Sequence, residues 1–311
     1  MQRRRTPARL RAATLLALLL LGGPLAAGCA TTPPPRTGPL IVGASINVWG
    51  SLLAQLGGAK VRATSIIDNP ATDPHDFEPT PSDAKLIALS AVFVENGIGY
   101  DTWAGRTVRA NPDARRQLVD VGQVTGTPAD GNPHRWYSPS DVGRVADAIT
   151  TALQRADPAD AGYFAQRRQA FEQDALARYH QLIASIRTEY AGTPVGASES
   201  IVSPLAAALG LRLLTPPSFL RAISEGTDPS AADKASIDTQ LSRRQLAVYL
   251  FNSQNSVPDV AGQVAQARRQ GIPVVNVTET LSPRGSTFQD WQVRQLTALA
   301  AALAKATGRT T

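Results

Sequence analysis

Residues 159–191 read ADAGYFAQRRQAFEQDALARYHQLIASIRTEYA, a stretch without proline that decides how the rest of the chain is divided. Phe164, Phe171, Ala175, Tyr179, Leu182, Ile186 and Tyr190 recur at spacings of 3, 4 or 7, which is the apolar stripe of an amphipathic helix. Asp157-Pro158 stands just ahead of it, and Pro is well suited to a first helical turn. At 1.5 Å per residue an unbroken helix of this length is a rod of roughly 50 Å. Such a rod can join two domains, hold them at a fixed angle and limit how far a cleft between them opens.

On its N-terminal side, apolar or β-branched runs at 39–45, 61–67, 91–95 and 117–121 read as strands, with helical stretches at 48–56, 82–89 and 100–110. On its C-terminal side the strands fall at 194–197, 211–215, 246–252 and 273–278, and the helices at 201–209, 231–241, 259–270 and 288–306. Alternation of strand and helix implies a parallel sheet covered on both faces. The expected fold is therefore α/β: two lobes, each a mostly parallel sheet flanked by helices, joined by one long linker helix. The N-terminal lobe spans 39–156, the linker 157–192 and the C-terminal lobe 193–311. The order of elements repeats between the halves; no repeat of the sequence itself is read.

The formal charge of +6 and the pI near 9.8 invite a nucleic-acid reading, which the placement of the charge removes. Five of the 31 basic residues, Arg3, Arg4, Arg5, Arg9 and Arg11, precede residue 29, and taking them away leaves 26 against 25 acidic residues. A cationic start, an apolar run over 12–21 and Leu25-Ala26-Ala27-Gly28-Cys29 together read as a signal peptide over residues 1–28. The apolar run falls short of the roughly 20 residues a membrane-spanning helix needs. Small residues followed at once by Cys resemble the lipobox of bacterial lipoproteins. Cys29 is the only cysteine, so it has no internal partner, and lipidation accounts for its position. Residues 29–38, with Pro33-Pro34-Pro35, form a Pro-rich tether. The expected location is the extracytoplasmic face of a bacterial membrane, held by the lipid on Cys29.

Three histidines can be judged one by one. His75 and His134 both lie in turn-rich loops that follow strands, and in open α/β sheets ligands gather beyond the carboxyl ends of strands. His180, beside Tyr179 and off the apolar stripe, reads as a solvated surface residue.

The strings Asp73-Pro74-His75-Asp76-Phe77-Glu78-Pro79-Thr80-Pro81-Ser82-Asp83, Asn96-Gly97-Ile98-Gly99-Tyr100-Asp101-Thr102-Trp103 and Asn132-Pro133-His134-Arg135-Trp136-Tyr137-Ser138-Pro139 resemble the solute-binding proteins of zinc and manganese ABC importers. Ser198-Glu199-Ser200, Pro216-Pro217-Ser218-Phe219 with Glu225-Gly226, and Val277-Thr278-Glu279-Thr280-Leu281 follow in the same family order. The resemblance implies two α/β lobes on one long helix, with a metal ion in the cleft held by two ligands from each lobe. Carried over by position, the ligands are His75 and His134 from the first lobe and Glu199 and Glu279 from the second. On spacing alone, Glu199 reads as a carboxylate at a helix N-terminus and Glu279 as a solvated loop residue. The resemblance further implies a divalent transition metal, Zn²⁺ or Mn²⁺, as the transported ligand. It implies a permease and its ATPase subunit as partners, and a monomer rather than an assembly. Two neutral imidazoles and two carboxylates balance a divalent charge, and nitrogen-plus-oxygen sites suit Zn²⁺, Mn²⁺ or Fe²⁺ better than Cu(I). Ser138 departs from the pattern, since relatives commonly have Asp there to orient a histidine; Glu225 is the reserve carboxylate should Glu279 not ligate.

An enzyme reading would need an open coordination position and a base. The chain has no His-Glu-x-x-His helix, no Gly-x-Ser-x-Gly elbow and no phosphate-binding glycine loop. A surface adhesin or structural lipoprotein with incidental metal binding is the other alternative.

Overall fold

Leu40–Ile46 (β1) is buried everywhere except at Ile41, as expected of a strand covered on both faces. Val61–Ile67 (β2) is instead half-buried for most of its length, because it lies at a sheet edge. A computed structural model describes residues 38–69, 72 and 77–309. The signal peptide, Cys29, nearly all of the tether, and His75 therefore lie outside the described residues. The described residues all belong to one compact unit.

After β1, α1 (Asn47–Gly57) leads to β2, α2 (Pro81–Leu89), β3 (Val92–Glu95), α3 (Thr102–Ala110), β4 (Gln117–Asp120), α4 (Val121–Thr125) and α5 (Pro139–Ala156). Next come α6 (Ala161–Ala170) and α7 (Ala177–Tyr190). The second half runs through β5 (Pro194–Ala197), α8 (Ser203–Ala208), β6 (Arg212–Leu213), α9 (Pro217–Ser224), α10 (Ala231–Ser242), β7 (Val248–Asn252), α11 (Pro258–Arg269), β8 (Val274–Val277) and α12 (Phe288–Thr307). Two four-stranded sheets result, ordered β2-β1-β3-β4 and β6-β5-β7-β8, with every pair parallel. The expected α/β class with two parallel sheets is what forms. Among the described residues no helix is long and apolar enough to cross a membrane.

The two sheets share more than their strand order, which corrects the reading that no sequence repeat exists. Val-Gly-Ala-Ser occurs at 42–45 and again at 195–198, and Ala-Val-aromatic-aliphatic-x-Asn at 91–96 and 247–252. The matching residues pair in the same register: Gly43 opposes Phe93, and Gly196 opposes Tyr249. In both places only glycine leaves room for the neighbouring ring. A Cβ on Gly43 would stand 3.0 Å from the Phe93 ring, and one on Gly196 would stand 3.1 Å from the Tyr249 ring and 2.5 Å from Leu246.

The segment between the sheets is helical but not the uniform rod expected. Leu176 donates its N–H to the Phe171 carbonyl five residues back, so Phe171–Ala175 forms a π-helical turn between α6 and α7. α6 packs on α5 and α1 of the first half, whereas α7 packs on α12 of the second. Three helices, α4, α5 and α9, form where none is expected. In α5 the residues Val142, Val145, Ala146, Ile149 and Leu153 make a buried stripe at helical spacing. A large core runs from beneath the first sheet through Tyr179, Phe288 and Trp291 to the second, and a smaller one lies under α9, α10 and α11.

Candidate metal centre

In each sheet the chain order reverses between the two middle strands, β1 and β3 or β5 and β7. A crevice opens beyond the carboxyl ends at such a point. The residues that follow those strand ends build the candidate site.

In the first half, β3 ends on Glu95 and the chain turns through Gly97, Ile98 and Gly99, all with positive φ (67°, 55° and 74°). Two glycines suit this left-handed path, and Ile98 between them is a strained exception for a β-branched residue. Asp101 gathers the turn: its carboxylate accepts from the N–H of Asn96 (2.7 Å) and of Gly97 (2.8 Å). Burial pushes the Asp101 carboxyl up, against the Ser45 hydroxyl and those backbone N–H groups, which pull it down. The turn delivers Tyr100, whose hydroxyl donates to Glu279 Oε2 at 3.0 Å and so ties the first half to the second.

His134 is fully buried, edge-on to Trp136 (5.3 Å between ring centroids) and Tyr100 (5.9 Å). Its Nδ1 lies 2.9 Å from Asn132 Oδ1, which also accepts from the His134 backbone N–H at 3.0 Å. Asn132 is fixed in turn by donating its amide to the Ser200 carbonyl (2.8 Å) across the cleft. With Asn132 Oδ1 as acceptor, Nδ1 carries the proton and Nε2 is the ring nitrogen that faces the second half. The expected loss of an orienting group at Ser138 is therefore made good by Asn132, while Ser138 Oγ sits 3.2 Å from Ser140 Oγ.

In the second half Glu199 follows β5 and Glu279 follows β8, and both are buried, at 1% and 7% exposure. Glu199 stands at the N-cap position of the 3-10 turn Ser200–Val202, as spacing suggests, but makes no side-chain capping bond, whereas Glu279 is buried and not a solvated loop residue. Asn252, at the end of β7, joins the two: its amide Nδ2 donates to Glu279 Oε1 (3.2 Å) and to Glu199 Oε1. The orientation of that amide is set, because Oδ1 accepts from the Gln254 N–H at 3.0 Å. Asn255 donates to Glu199 Oε2 at 3.0 Å. Gln254 Oε1 clamps the loop after β8 by accepting from the N–H of Glu279 (2.6 Å) and Thr280 (3.1 Å).

Glu279 Oε1 stands 3.9 Å from His134 Nε2, so these two candidates converge directly. Glu199 reaches Glu279 through Asn252. Among the described residues no three His, Cys, Asp or Glu side chains close into a group that would grip an ion by themselves. The reserve carboxylate Glu225 is exposed and lines the mouth of a groove with Tyr100, Asn132, Ser200 and Arg221. His180 lies on the surface, 3.6 Å from Glu172. The negative charge of the cluster is felt nearby. Burial first, and then Glu279 and Glu199, push the Tyr137 hydroxyl well above its usual range, against hydrogen bonding with Gln295 and the Thr278 backbone. Burial and Glu199 do the same to Tyr249. Tyr100, Asn132 and Asn252 are the partners that the sequence reading does not assign. The repeated strand motif ending on Asn96 and Asn252 is the signal that points to one of them.

Two like sheets that meet over a buried imidazole and two buried carboxylates define a bilobed binding protein. The chain belongs to the family described as zinc-uptake complex component A, periplasmic, whose model matches residues 42–302. It is 30% identical over 162 residues to a manganese-binding lipoprotein of Halalkalibacterium halodurans, covering 48% of this chain and 52% of that one. It is 23% identical over 237 residues to a zinc-binding lipoprotein of Streptococcus pneumoniae serotype 4, covering 68% of this chain and 44% of that one. The chain spans about half the length of the curated relatives it matches. Among solved structures, the periplasmic zinc binding protein from Treponema pallidum superposes with a TM-score of 0.70 at 18% identity, over 86% of this chain and 99% of that one. At that identity the likeness is one of fold.

Proposed function

We propose that the protein captures a divalent transition metal, Zn²⁺ or Mn²⁺, in the cleft between its lobes and delivers it to the permease of an ABC importer driven by an ATPase subunit. The observation that carries this reading is the approach of His134 Nε2 to Glu279 Oε1 (3.9 Å) beside the buried Glu199. Asn252, Asn255 and Tyr100, which donate to the two carboxylates there, are uncharged. Two buried carboxylates with neutral donors favour a cation, and an imidazole lone pair beside them favours a transition metal over Mg²⁺ or Ca²⁺. The proposed ligands are His75, His134, Glu199 and Glu279. Four protein ligands leave no open position for an activated water, which suits capture rather than catalysis. The names of the relatives, manganese-binding and zinc-binding, support the metal class.

The protein acts as a monomer outside the cytoplasm, anchored by lipid on Cys29, with residues 157–192 as the link between lobes. Cys29→Ser is expected to release the protein into the medium or leave it unprocessed. Elemental analysis of protein purified without added metal, followed by competition between Zn²⁺ and Mn²⁺, tests the capture. One ion per chain, without turnover, is the expected result. Failure to hold either metal stoichiometrically would overturn it.

A further inference from the structure

Helices in these lobes run back against parallel strands, so their C-termini crowd the edge where the strands begin. Their charges follow the helix dipole. Basic residues occupy the last turns of α3 (Arg109), α5 (Arg155), α7 (Arg187), α11 (Arg268, Arg269) and α12 (Lys305). Acidic residues occupy the first turns of α2, α5, α10, α11 and α12. Of the basic residues, Arg155 at the end of α5 lies beside the start of β1 in the first lobe.

On this side of the first lobe there is also exposed apolar surface. Ile41 (39% exposed) and Leu89 (54%) line a groove with Arg115, Arg116 and Arg155. Leu118 (43%) is exposed one residue beyond Gln117 on β4 and does not line the groove. Asp113 is the one carboxylate on the rim and pairs with Arg115 at 3.2 Å. Pro39, where the chain enters the fold, forms part of the wall. Only residues 29–38 separate the candidate lipid site from this point, a span of at most roughly 35 Å when fully extended.

We propose that this face is a docking surface for an anionic phospholipid bilayer, with the three arginines on headgroup phosphates and Ile41 and Leu89 at the apolar boundary. Arginine forks match phosphate oxygens, and apolar side chains ringed by basic ones suit the bilayer interface. The patch is read from the fold alone. The proposed anchor adds only that the bilayer is always within reach, which raises the effective concentration of a weak contact. Docked this way, the strand ends that carry the metal centre face away from the bilayer.

The test uses the compact unit of residues 36–311, which holds both sheets and their cores and lacks the arginine-rich leader. It is sedimented with vesicles of phosphatidylglycerol and phosphatidylcholine, and with vesicles of phosphatidylcholine alone. Binding to the anionic vesicles only is expected, and it should fade as salt shortens the Debye length from about 30 Å at 0.01 M to about 3 Å at 1 M. Each arginine near such a surface strengthens binding by roughly fivefold. The triple variant Arg115→Glu, Arg116→Glu, Arg155→Glu should therefore bind at least about 100-fold more weakly while keeping the wild-type melting curve. Reversal of Arg106, Arg144 and Arg178, exposed elsewhere, should change binding far less. Equal binding to neutral vesicles, no binding to anionic ones, or equal loss in both triple variants would overturn the proposal. So would a chain starting at residue 30 that binds anionic vesicles less well than one starting at residue 36, since the tether itself would then fill the groove.

Discussion

The two sheets are built on one plan and put to different uses. Each has its two middle strands in the same register, a Val-Gly-Ala-Ser strand against one that ends at or just before an Asn. In the first lobe that residue, Asn96, serves the scaffold: its Oδ1 accepts from the Trp49 indole (2.9 Å), and its amide donates to the Pro133 carbonyl (3.1 Å), just before His134. In the second lobe its counterpart Asn252 turns its amide to two carboxylates. The residue one place earlier differs as well, Glu95 in one lobe and Phe251 in the other. The backbone plan fixes where side chains arrive, and the few residues past the strand ends decide whether that place is framework or ligand.

The largest effect should come from breaking the framework half of this pair. Asn96→Ala would leave a buried indole N–H and a part-buried carbonyl without their partner, each worth about 1–3 kcal/mol. Urea unfolding should report a loss of about 4 kcal/mol, with one metal ion per chain still bound. If Asn252→Ala cost as much stability and no metal affinity, the division of labour between the two asparagines would be wrong.

Glu95 sharpens the comparison from the other side. Its carboxyl is pushed up to about 7 by burial first, then by Asp101 and Asp120, with Arg109 opposing. The folded state therefore holds a proton that the unfolded state has released between pH 4.5 and about 7. Stability from this group is intact below the unfolded value and falls as pH rises through that window. At pH 8 the cost approaches about 3 kcal/mol, since every pH unit of that window contributes about 1.36 kcal/mol. Glu95→Gln should accordingly raise the melting temperature at pH 8 and change little at pH 4, flattening the difference between the two. An equal gain at both pH values would assign the effect to packing rather than charge.

The smallest of the three effects concerns binding. Glu279→Gln keeps the shape, removes one negative charge and weakens an oxygen donor. Metal affinity should fall about 10- to 100-fold, at least the loss typical of disturbing a group behind a ligand. Glu279→Asp should be milder. Calorimetric affinities within twofold of wild type for the Gln variant would remove Glu279 from the ligand set.

Much of the fold is legible in the amino-acid order itself. The strand runs at 61–67 and 194–197 coincide with β2 and β5 because a short β-branched or apolar run between turn residues has few other readings. The helix α5 is harder to see, since alanines dilute its stripe and charged residues fill the gaps. Of the candidate site, His134 is singled out by its loop after a strand, whereas Glu199 and Glu279 can be named only by resemblance, because burial is what separates a ligand carboxylate from a solvated one. Asn132, Asn252 and Tyr100 leave no trace of their roles. A neutral amide or hydroxyl acquires a role only from what the fold brings to it, and Tyr100 meets its carboxylate 179 positions away. The asparagine repeat is visible in the letters, but its meaning lies in strand register.

The π-helical turn at Phe171–Ala175 has a consequence for how such a molecule can change over generations. One extra residue in a helix rotates everything beyond it by roughly 100°, one residue's share of a 3.6-residue turn. α6 docks on the first lobe and α7 on the second, so this single insertion acts as the phase setting between two bodies that otherwise repeat each other. Inheritance of that phase depends on counting rather than on chemistry. Substitutions in the turn leave it untouched, while the loss of one codon would turn the second lobe's docking stripe away from α12 without altering any residue that forms it.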